Sequence, residues 1–261
     1  MEATGGYEKL PFGLLWQQGI PVAIVNPRSV RRFAEAMGSL EKTDLIDSGM
    51  IAWYAEIKRI VAQKPLGEGQ DRLKALVARL RQVTDLRTSQ TNQRRLVTEP
   101  EVLTFIDDLI AAITRQIRSL EAKIAELIES DPLWAKFDET FRTIKGVADR
   151  TVARLMADLP EIGTLSGKAI AKLVGYAPIA HDSGRTKGKR SIRGGRATIR
   201  TILFVIADVV RRHEKDFKEF HERLSKAGKP KKVIRAAIAR KLLVRLNAKA
   251  RDARAELKNA T

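Results

Sequence analysis

A long run of apolar residues spaced four and three apart constrains the fold of this chain more than any other feature. Across residues 106–127 this spacing is kept by Ile106, Ile110, Ile113, Ile117, Leu120, Ile124 and Leu127. It predicts a long helix with one continuous apolar seam. A similar spacing occurs upstream at Leu73, Leu76, Leu80 and Val83. We expect two helices that pair within one chain as a hairpin, or between chains as a coiled coil. The two arrangements are compatible with each other.

Residues 1–64 have a different pattern, which favours part of an α/β unit. Within residues 10–25 a helical stretch is followed by a short strand at Pro21–Val25. Another helix is expected at about residues 43–62. One or two strands are too few for a free-standing sheet, so this segment predicts only part of an α/β domain.

The remaining segments predict a helical hairpin at residues 65–130 and a mainly helical domain at 131–261. In the latter, Ile144-Lys145-Gly146-Val147-Ala148 joins two expected helices. This turn resembles that of a helix-hairpin-helix, whose amides bind phosphate. Ala148 stands where the usual turn has its second glycine, so a plain corner between two helices is an equally good interpretation.

Positive charge is concentrated in the last third of the chain. The formal net charge is +18, and residues 181–261 hold 24 basic and 8 acidic residues. Such segregation indicates a polyanionic partner held by one part of the chain, although a basic solvated surface would give the same count. Nucleic acid is the better interpretation because many of these basic residues lie in a glycine-rich loop.

Composition also excludes several classes of protein. The chain contains no cysteine, which excludes disulfide frameworks, thiolate zinc sites and cysteine nucleophiles. His181, His213 and His221 lack the neighbours of a compact metal cluster. No apolar run approaches the length of a membrane span, and the first residues do not form a signal peptide. We therefore expect a cytoplasmic protein without a membrane partner.

Acidic residues near the N-terminus are candidates for a metal site. Asp44 and Asp47 are three residues apart near the start of an expected helix, so they share one face. Carboxylates in this arrangement can hold Mg²⁺ together with substrate phosphates. Two acids there also stabilise a helix N-terminus, and for this pair alone that is the better interpretation. A further acid, Glu2, precedes a tight turn at Gly5-Gly6.

Residues 181–196 form a polar loop that contains Ser183. Its basic residues are Arg185, Lys187, Lys189, Arg190, Arg193 and Arg196. Glycines let a backbone approach phosphate, and guanidinium groups bind phosphate through two parallel hydrogen bonds. A serine in such a loop can attack a phosphodiester, because the cations stabilise the alkoxide and the phosphorane. The residues alone favour the simpler interpretation, in which Ser183 only donates a hydrogen bond to bound phosphate.

These motifs together resemble the DEDD-type insertion-sequence transposases, which are serine-dependent DNA recombinases guided by a bridge RNA. Each motif is weak alone, but their order and intervals over essentially the whole chain are specific. The matching motifs are Glu2-Ala-Thr-Gly-Gly-Tyr7, Val25-Asn26-Pro27, Lys42-Thr43-Asp44-x-x-Asp47, Ile144-x-Gly146, Gly175-x-Ala177-Pro178, Asp182-Ser183-Gly184, Arg193-Gly194-Gly195 and Gly228-Lys229-Pro230-Lys231.

The resemblance implies a RuvC-like N-terminal domain of RNase H-type α/β fold, a coiled-coil insertion and a C-terminal transposase domain. It makes Glu2, Asp44 and Asp47 the second, third and fourth acids of a Mg²⁺-binding tetrad. It makes Ser183 the nucleophile that forms a phosphoserine link to DNA. It further implies DNA and a guide RNA as partners of a homo-oligomer, a dimer or tetramer. Nucleic-acid contacts are expected from the basic residues of the polar loop at 181–196 and from Lys229, Lys231 and Lys232.

One departure from the family pattern concerns the first acid, which in the family lies on a strand upstream of the glutamate. This chain starts at the glutamate, so we expect a metal site with one ligand fewer and a sheet with an exposed edge. Whether the chain is an active enzyme is therefore left open. Three functions remain: a transposase acting through Ser183, a RuvC-like nuclease using metal-activated water, and a truncated, inactive copy that only binds nucleic acid.

Overall fold

A computed structural model describes all residues except 40, 42, 181, 185–187, 189 and 261, and also leaves the side chains of residues 44, 45 and 260 undescribed. The chain divides into two compact units. Unit 1 is Met1–Gly67 and unit 2 is Glu68–Thr261. None of the helices in the described part of the chain is long and apolar enough to span a membrane.

Unit 1 contains three helices: α1 (Lys9–Gln17), α2 (Pro27–Ala36) and α3 (Asp44–Ile57). Helix α2 begins where the side chain of Asn26 accepts a hydrogen bond from the backbone N–H of Arg28 at 2.9 Å. The ring of Phe33 on α2 packs edge-on against the rings of Trp53 and Tyr54 on α3. This aromatic contact joins the second and third helices.

The expectation of an α/β fold for residues 1–64 is wrong. The described part of unit 1 contains one isolated parallel bridge, between Glu2 and Val25, and no strand. The segment Pro21–Val25 is paired on its other side with Gln63. The backbone N–H of Gln63 donates to the carbonyl of Val22 at 2.9 Å, and its side-chain oxygen accepts from the N–H of Ile24 at 3.3 Å. The segment is thus paired with one bridge on one side and one residue on the other, and the described part of unit 1 forms no sheet ladder.

Unit 2 is built from eight helices in the part of it that the structure describes. They are α4 (Glu68–Arg94), α5 (Pro100–Ser130), α6 (Pro132–Arg142), α7 (Asp149–Asp158), α8 (Gly167–Val174), α9 (Ala197–His213), α10 (Lys215–Lys226) and α11 (Lys231–Ala260). Helix α11 runs through the middle of the unit and contacts α6, α8, α9 and α10. A single apolar core extends from Leu73 on α4 to Ala253 on α11.

Helices α4 and α5 pair as a hairpin within the chain, as the spacing of their apolar residues predicts. The buried seam consists of Leu73, Val77, Leu80 and Val83 on α4 and Ile113, Ile117, Ile124 and Ile128 on α5. Toward the loop that joins the two helices, large apolar side chains are exposed instead: Leu86, Leu96, Val102, Phe105 and Leu109. We call these residues the hairpin tip. A coiled coil between chains stays a prediction, and the hairpin tip is where such a contact would find apolar surface.

Candidate functional site

The loop that contains Ser183 connects α8 to α9 and spans residues 175–196; we call it the serine loop. A backbone bridge closes its base. The backbones of Ile179 and Ser191 form an antiparallel bridge, in which Ile179 donates its N–H to Ser191 at 2.9 Å. Beyond this bridge Ser183 is exposed to solvent. Its neighbour Asp182 accepts a hydrogen bond from the backbone N–H of Gly188 at 3.1 Å. Ser183 is therefore exposed on a loop whose base is closed by the bridge between Ile179 and Ser191.

Below the bridge, the loop crosses itself backbone to backbone. Gly175 ends α8 in the left-handed region, with φ +88°, and Gly195 just before α9 has φ +69°. A Cβ on Gly195 would clash with the amide of Gly175 and lie 2.5 Å from the carbonyl carbon of Val174. Only glycine allows this approach, which explains why the Gly175 and Gly194-Gly195 motifs occur at the two ends of one loop.

Arg196, expected to bind nucleic acid, is held by an acidic side chain and a backbone carbonyl. Its guanidinium forms two hydrogen bonds of 2.5 Å with the carboxylate of Glu161 and one of 2.9 Å with the carbonyl of Asp158. Burial alone would raise the pKa of Glu161. The hydrogen bonds and charge of Arg196, helped by the charge of Lys74, outweigh burial and lower that pKa below its usual range.

The other predicted basic residues lie at two exposed places in unit 2. Arg190 and Arg193 are exposed on the serine loop. Lys229, Lys231 and Lys232 are exposed between the end of α10 and the first turn of α11. Arg185, Lys187 and Lys189 lie outside the described residues. The described basic residues are exposed and therefore accessible to a polyanion.

Two of the three predicted acids line one pocket of unit 1. Glu2 and Asp47 share a pocket of about 220 Å³ with Arg28 and Arg31 of α2. Asp44 is the first residue of α3, but its side chain is not described. No group of three or more metal-ligating side chains is found among the described residues. The structure thus brings Glu2 and Asp47 together.

The turn between α6 and α7 has the expected helix–turn–helix arrangement, and it is packed against the rest of the unit. The backbone N–H of Lys145 donates to the carboxylate of Glu214 at 3.0 Å. A Cβ on Gly146 would lie 3.0 Å from Val209 on α9. One amide that would bind phosphate in a helix-hairpin-helix is therefore already bound by a carboxylate of the chain itself.

Comparison with known proteins identifies the family. Residues 1–98 match the family model of DEDD transposases of the IS110 type, and residues 138–222 match that of the transposase IS116/IS110/IS902 family. Two pilin gene-inverting proteins, from Moraxella lacunata and Moraxella bovis, are each 31% identical to this chain over 256 residues. The alignment covers 93% of this chain and 76% of each relative. This chain belongs to the IS110-type transposase family.

Some residues of this transposase's candidate sites were missed by sequence reasoning. Arg28 and Arg31 accompany the acids of the unit 1 pocket, and Arg31 also pairs with Glu35 at 3.3 Å. Their spacing of three on a helix that Asn26 starts was a usable signal, since it places both on one face. Glu161 carried no signal, because its partner Arg196 is 35 residues away in the sequence.

Proposed function

We propose that this transposase cuts and rejoins DNA with Ser183 as the nucleophile. The observation that carries the proposal is the exposed hydroxyl of Ser183 on a loop that is closed at its base and also presents Arg190 and Arg193. An exposed hydroxyl can approach a phosphodiester that cannot enter a buried site. The two guanidinium groups can bind the phosphate oxygens as negative charge develops on those oxygens during the attack.

In the proposed step, the oxygen of Ser183 attacks the phosphorus of one DNA phosphodiester. A bond between serine oxygen and phosphorus forms, and the bond from phosphorus to one deoxyribose oxygen breaks. The serine proton leaves with a base, and the released deoxyribose oxygen takes up a proton. The phosphate remains joined to protein, so a second deoxyribose hydroxyl can later displace the serine and seal a new strand.

The pocket of unit 1 fits a role in holding Mg²⁺. Mg²⁺ in proteins is commonly bound by one or two carboxylates plus substrate phosphates, and Glu2 and Asp47 supply two carboxylates in one pocket. Asp44 is proposed as a third ligand on the basis of the family resemblance. When bound, Mg²⁺ would neutralise charge on a phosphate and activate an oxygen for transfer. Arg28 in the same pocket would help to hold that phosphate.

Nucleic acid is the proposed partner of unit 2. The relatives named as gene-inverting proteins are consistent with a chain that exchanges DNA strands rather than only cutting them. The charge excess of residues 181–261 suits DNA and also a guide RNA. We further propose that the chain acts as a homo-oligomer, since rejoining two DNA ends requires more than one nucleophile.

A metal-dependent nuclease is the second candidate function. It is favoured by the pocket that holds Glu2 and Asp47, because a metal ion held by two carboxylates would activate water without any serine. The two candidates differ in one product. A serine recombinase leaves protein covalently attached to DNA, and a nuclease releases free ends.

The experiment is incubation of the full chain with labelled DNA and Mg²⁺, followed by denaturing electrophoresis. We expect labelled DNA that migrates with the protein, and we expect Ser183→Ala to lose it while DNA binding is unchanged. Cleavage without attached protein, lost in Asp47→Asn and retained in Ser183→Ala, would instead support the nuclease.

A further inference from the structure

The connection between Arg196 and Glu161 links the serine loop to the core of unit 2. Arg196 stands at the root of the loop, where its backbone N–H also donates to the carbonyl of Leu173 on α8 at 3.2 Å. Both nitrogens at the end of its guanidinium are bound to Glu161, and one also reaches Asp158. A guanidinium engaged in this way has its planar fork directed at the protein, and not outward to a phosphate.

The turn that carries Glu161 is itself fixed from below. Asn247 on α11 is buried, with 1% of its surface exposed. Its side chain accepts a hydrogen bond from the N–H of Gly163 at 2.9 Å and donates to the carbonyl of Leu165 at 2.8 Å. Gly163 lies so close to Ala250 that a Cβ there would be 2.8 Å from the Ala250 carbonyl carbon. Glu161 therefore lies on a turn that is hydrogen-bonded to a buried side chain of the core.

The loop root is held at further points close to Arg196. Arg200 of α9 donates to the carbonyl of Gly194 and, through its own carbonyl, accepts from the hydroxyl of the buried Tyr176 at 2.7 Å. Arg196 and Arg200 thus hold the same end of the loop through different partners, Glu161 and the carbonyl of Gly194. The ion pair between Arg196 and Glu161 joins the loop to the turn that follows α7.

We propose that Arg196 and Glu161 are a positioning pair that fixes the serine loop against the core, and that Arg196 does not bind nucleic acid. The inference rests on the proposed function only in naming Ser183 as the group that is positioned. It deepens that function by separating the basic residues of the loop into two kinds: Arg190 and Arg193 face the partner, and Arg196 faces the protein.

The two roles differ in whether Glu161→Gln and Arg196→Gln have the same effect. If Arg196 binds phosphate, loss of the competing carboxylate leaves a guanidinium more available, and DNA binding strengthens or stays the same. Arg196→Gln would then weaken binding and lower the slope of log affinity against log salt by about 0.9. If the pair positions the loop, Glu161→Gln and Arg196→Gln have the same effect, and the double variant is no worse than either one.

The first measurement is limited proteolysis by trypsin at the bond after Arg190, which needs neither DNA nor activity. We expect faster cleavage there in Glu161→Gln, in Arg196→Gln and in the double variant, to the same extent, with far-UV circular dichroism unchanged. The control is Glu121→Gln, which breaks a comparable pair with Arg150 (2.6 Å) on α5 and α7 away from the loop. Cleavage in the control should equal that of the unaltered chain.

The second measurement compares DNA affinity with the rate of covalent attachment at saturating DNA. We expect affinity within about twofold of the unaltered chain, and attachment slowed about tenfold or more, since small displacements of a reacting group are costly. Unchanged proteolysis in Glu161→Gln, or an Arg196→Gln variant that loses affinity while Glu161→Gln does not, would overturn the positioning pair. If no protein forms an adduct, the proposed function fails, and the proteolysis result still decides the positioning pair.

Discussion

The backbone of Gly195 lies against the backbone of Gly175, although 19 residues separate them in the sequence. A Cβ on Gly195 would be 2.7 Å from the carbonyl oxygen of Leu173 as well as in contact with Gly175. No flexible side chain stands there to move aside. The two ends of the loop can meet in this way only when both positions lack a side chain.

Gly195→Ala should therefore destabilise unit 2 strongly. Its φ of +69° strains any L side chain, and its Cβ would meet fixed backbone, so we expect a loss of about 2 kcal/mol or more in the free energy of unfolding. Gly194→Ala is the matched control. It has φ +70° but no atom within 4 Å of the added carbon, so it should cost only about 1 kcal/mol. Urea denaturation measures both, and equal losses would contradict the close approach.

Nucleic-acid binding should depend on the exposed basic residues of the serine loop. Each of Arg190→Gln and Arg193→Gln should weaken DNA binding and reduce the slope of log affinity against log salt by about 0.9, since each removes one phosphate contact. Fluorescence anisotropy over a salt series measures this. Arg79→Gln, an exposed arginine on α4, is the control and should leave the slope unchanged.

Substitutions on the hairpin should separate stability from self-association. Ile117 is 2% exposed in the seam between α4 and α5, so Ile117→Asp should unfold the hairpin, at a cost of about 3 kcal/mol or more. Phe105 at the hairpin tip is 67% exposed, and Phe105→Asp should leave the melting temperature unchanged. Sedimentation should show a lower oligomer mass for Phe105→Asp. An unchanged mass would place self-association elsewhere.

The turn that follows Glu2 should respond to acid. The backbone N–H groups of Glu8 itself, Thr4 and Gly6 hydrogen-bond the carboxylate of Glu8 and lower its pKa from 4.5 to about 2. Because the folded pKa is lowered, the stabilisation by this carboxylate is complete above pH 4.5 and lost as the pH falls through about 2. The carboxyl carbon of Glu8 should titrate near pH 2 by NMR. A midpoint near 4.5 would show that the turn is not held.

Local patterns predicted the long helices well because their evidence lies within a few residues. The four-and-three spacing of Ile113, Ile117 and Ile124 specifies both a helix and its buried face. The prediction of a strand at Pro21–Val25 was wrong because a strand requires a partner strand. The sequence of an extended segment does not state whether its backbone groups will bond to a second strand or to a single residue such as Gln63.

The candidate site was predictable in its residue types and less so in its contacts. Ser183 and the acids could be named from motifs, and the structure places Glu2 and Asp47 in one pocket. The contact of Arg196 with Glu161 could not be predicted from the loop, since an arginine among arginines has the same pattern whether it faces a phosphate or a carboxylate of the chain. Contacts between residues distant in sequence are set by packing of the core around α11, which no local pattern records.

The most direct test of the account is to locate the protein–DNA bond. The full chain is incubated with DNA and Mg²⁺, quenched with denaturant, digested with nuclease and protease, and the peptides are sequenced by mass spectrometry. We expect one peptide that carries a nucleotide phosphate on Ser183, absent from the Ser183→Ala digest. A phosphate on a different residue, or an adduct that persists in Ser183→Ala, would contradict the serine nucleophile.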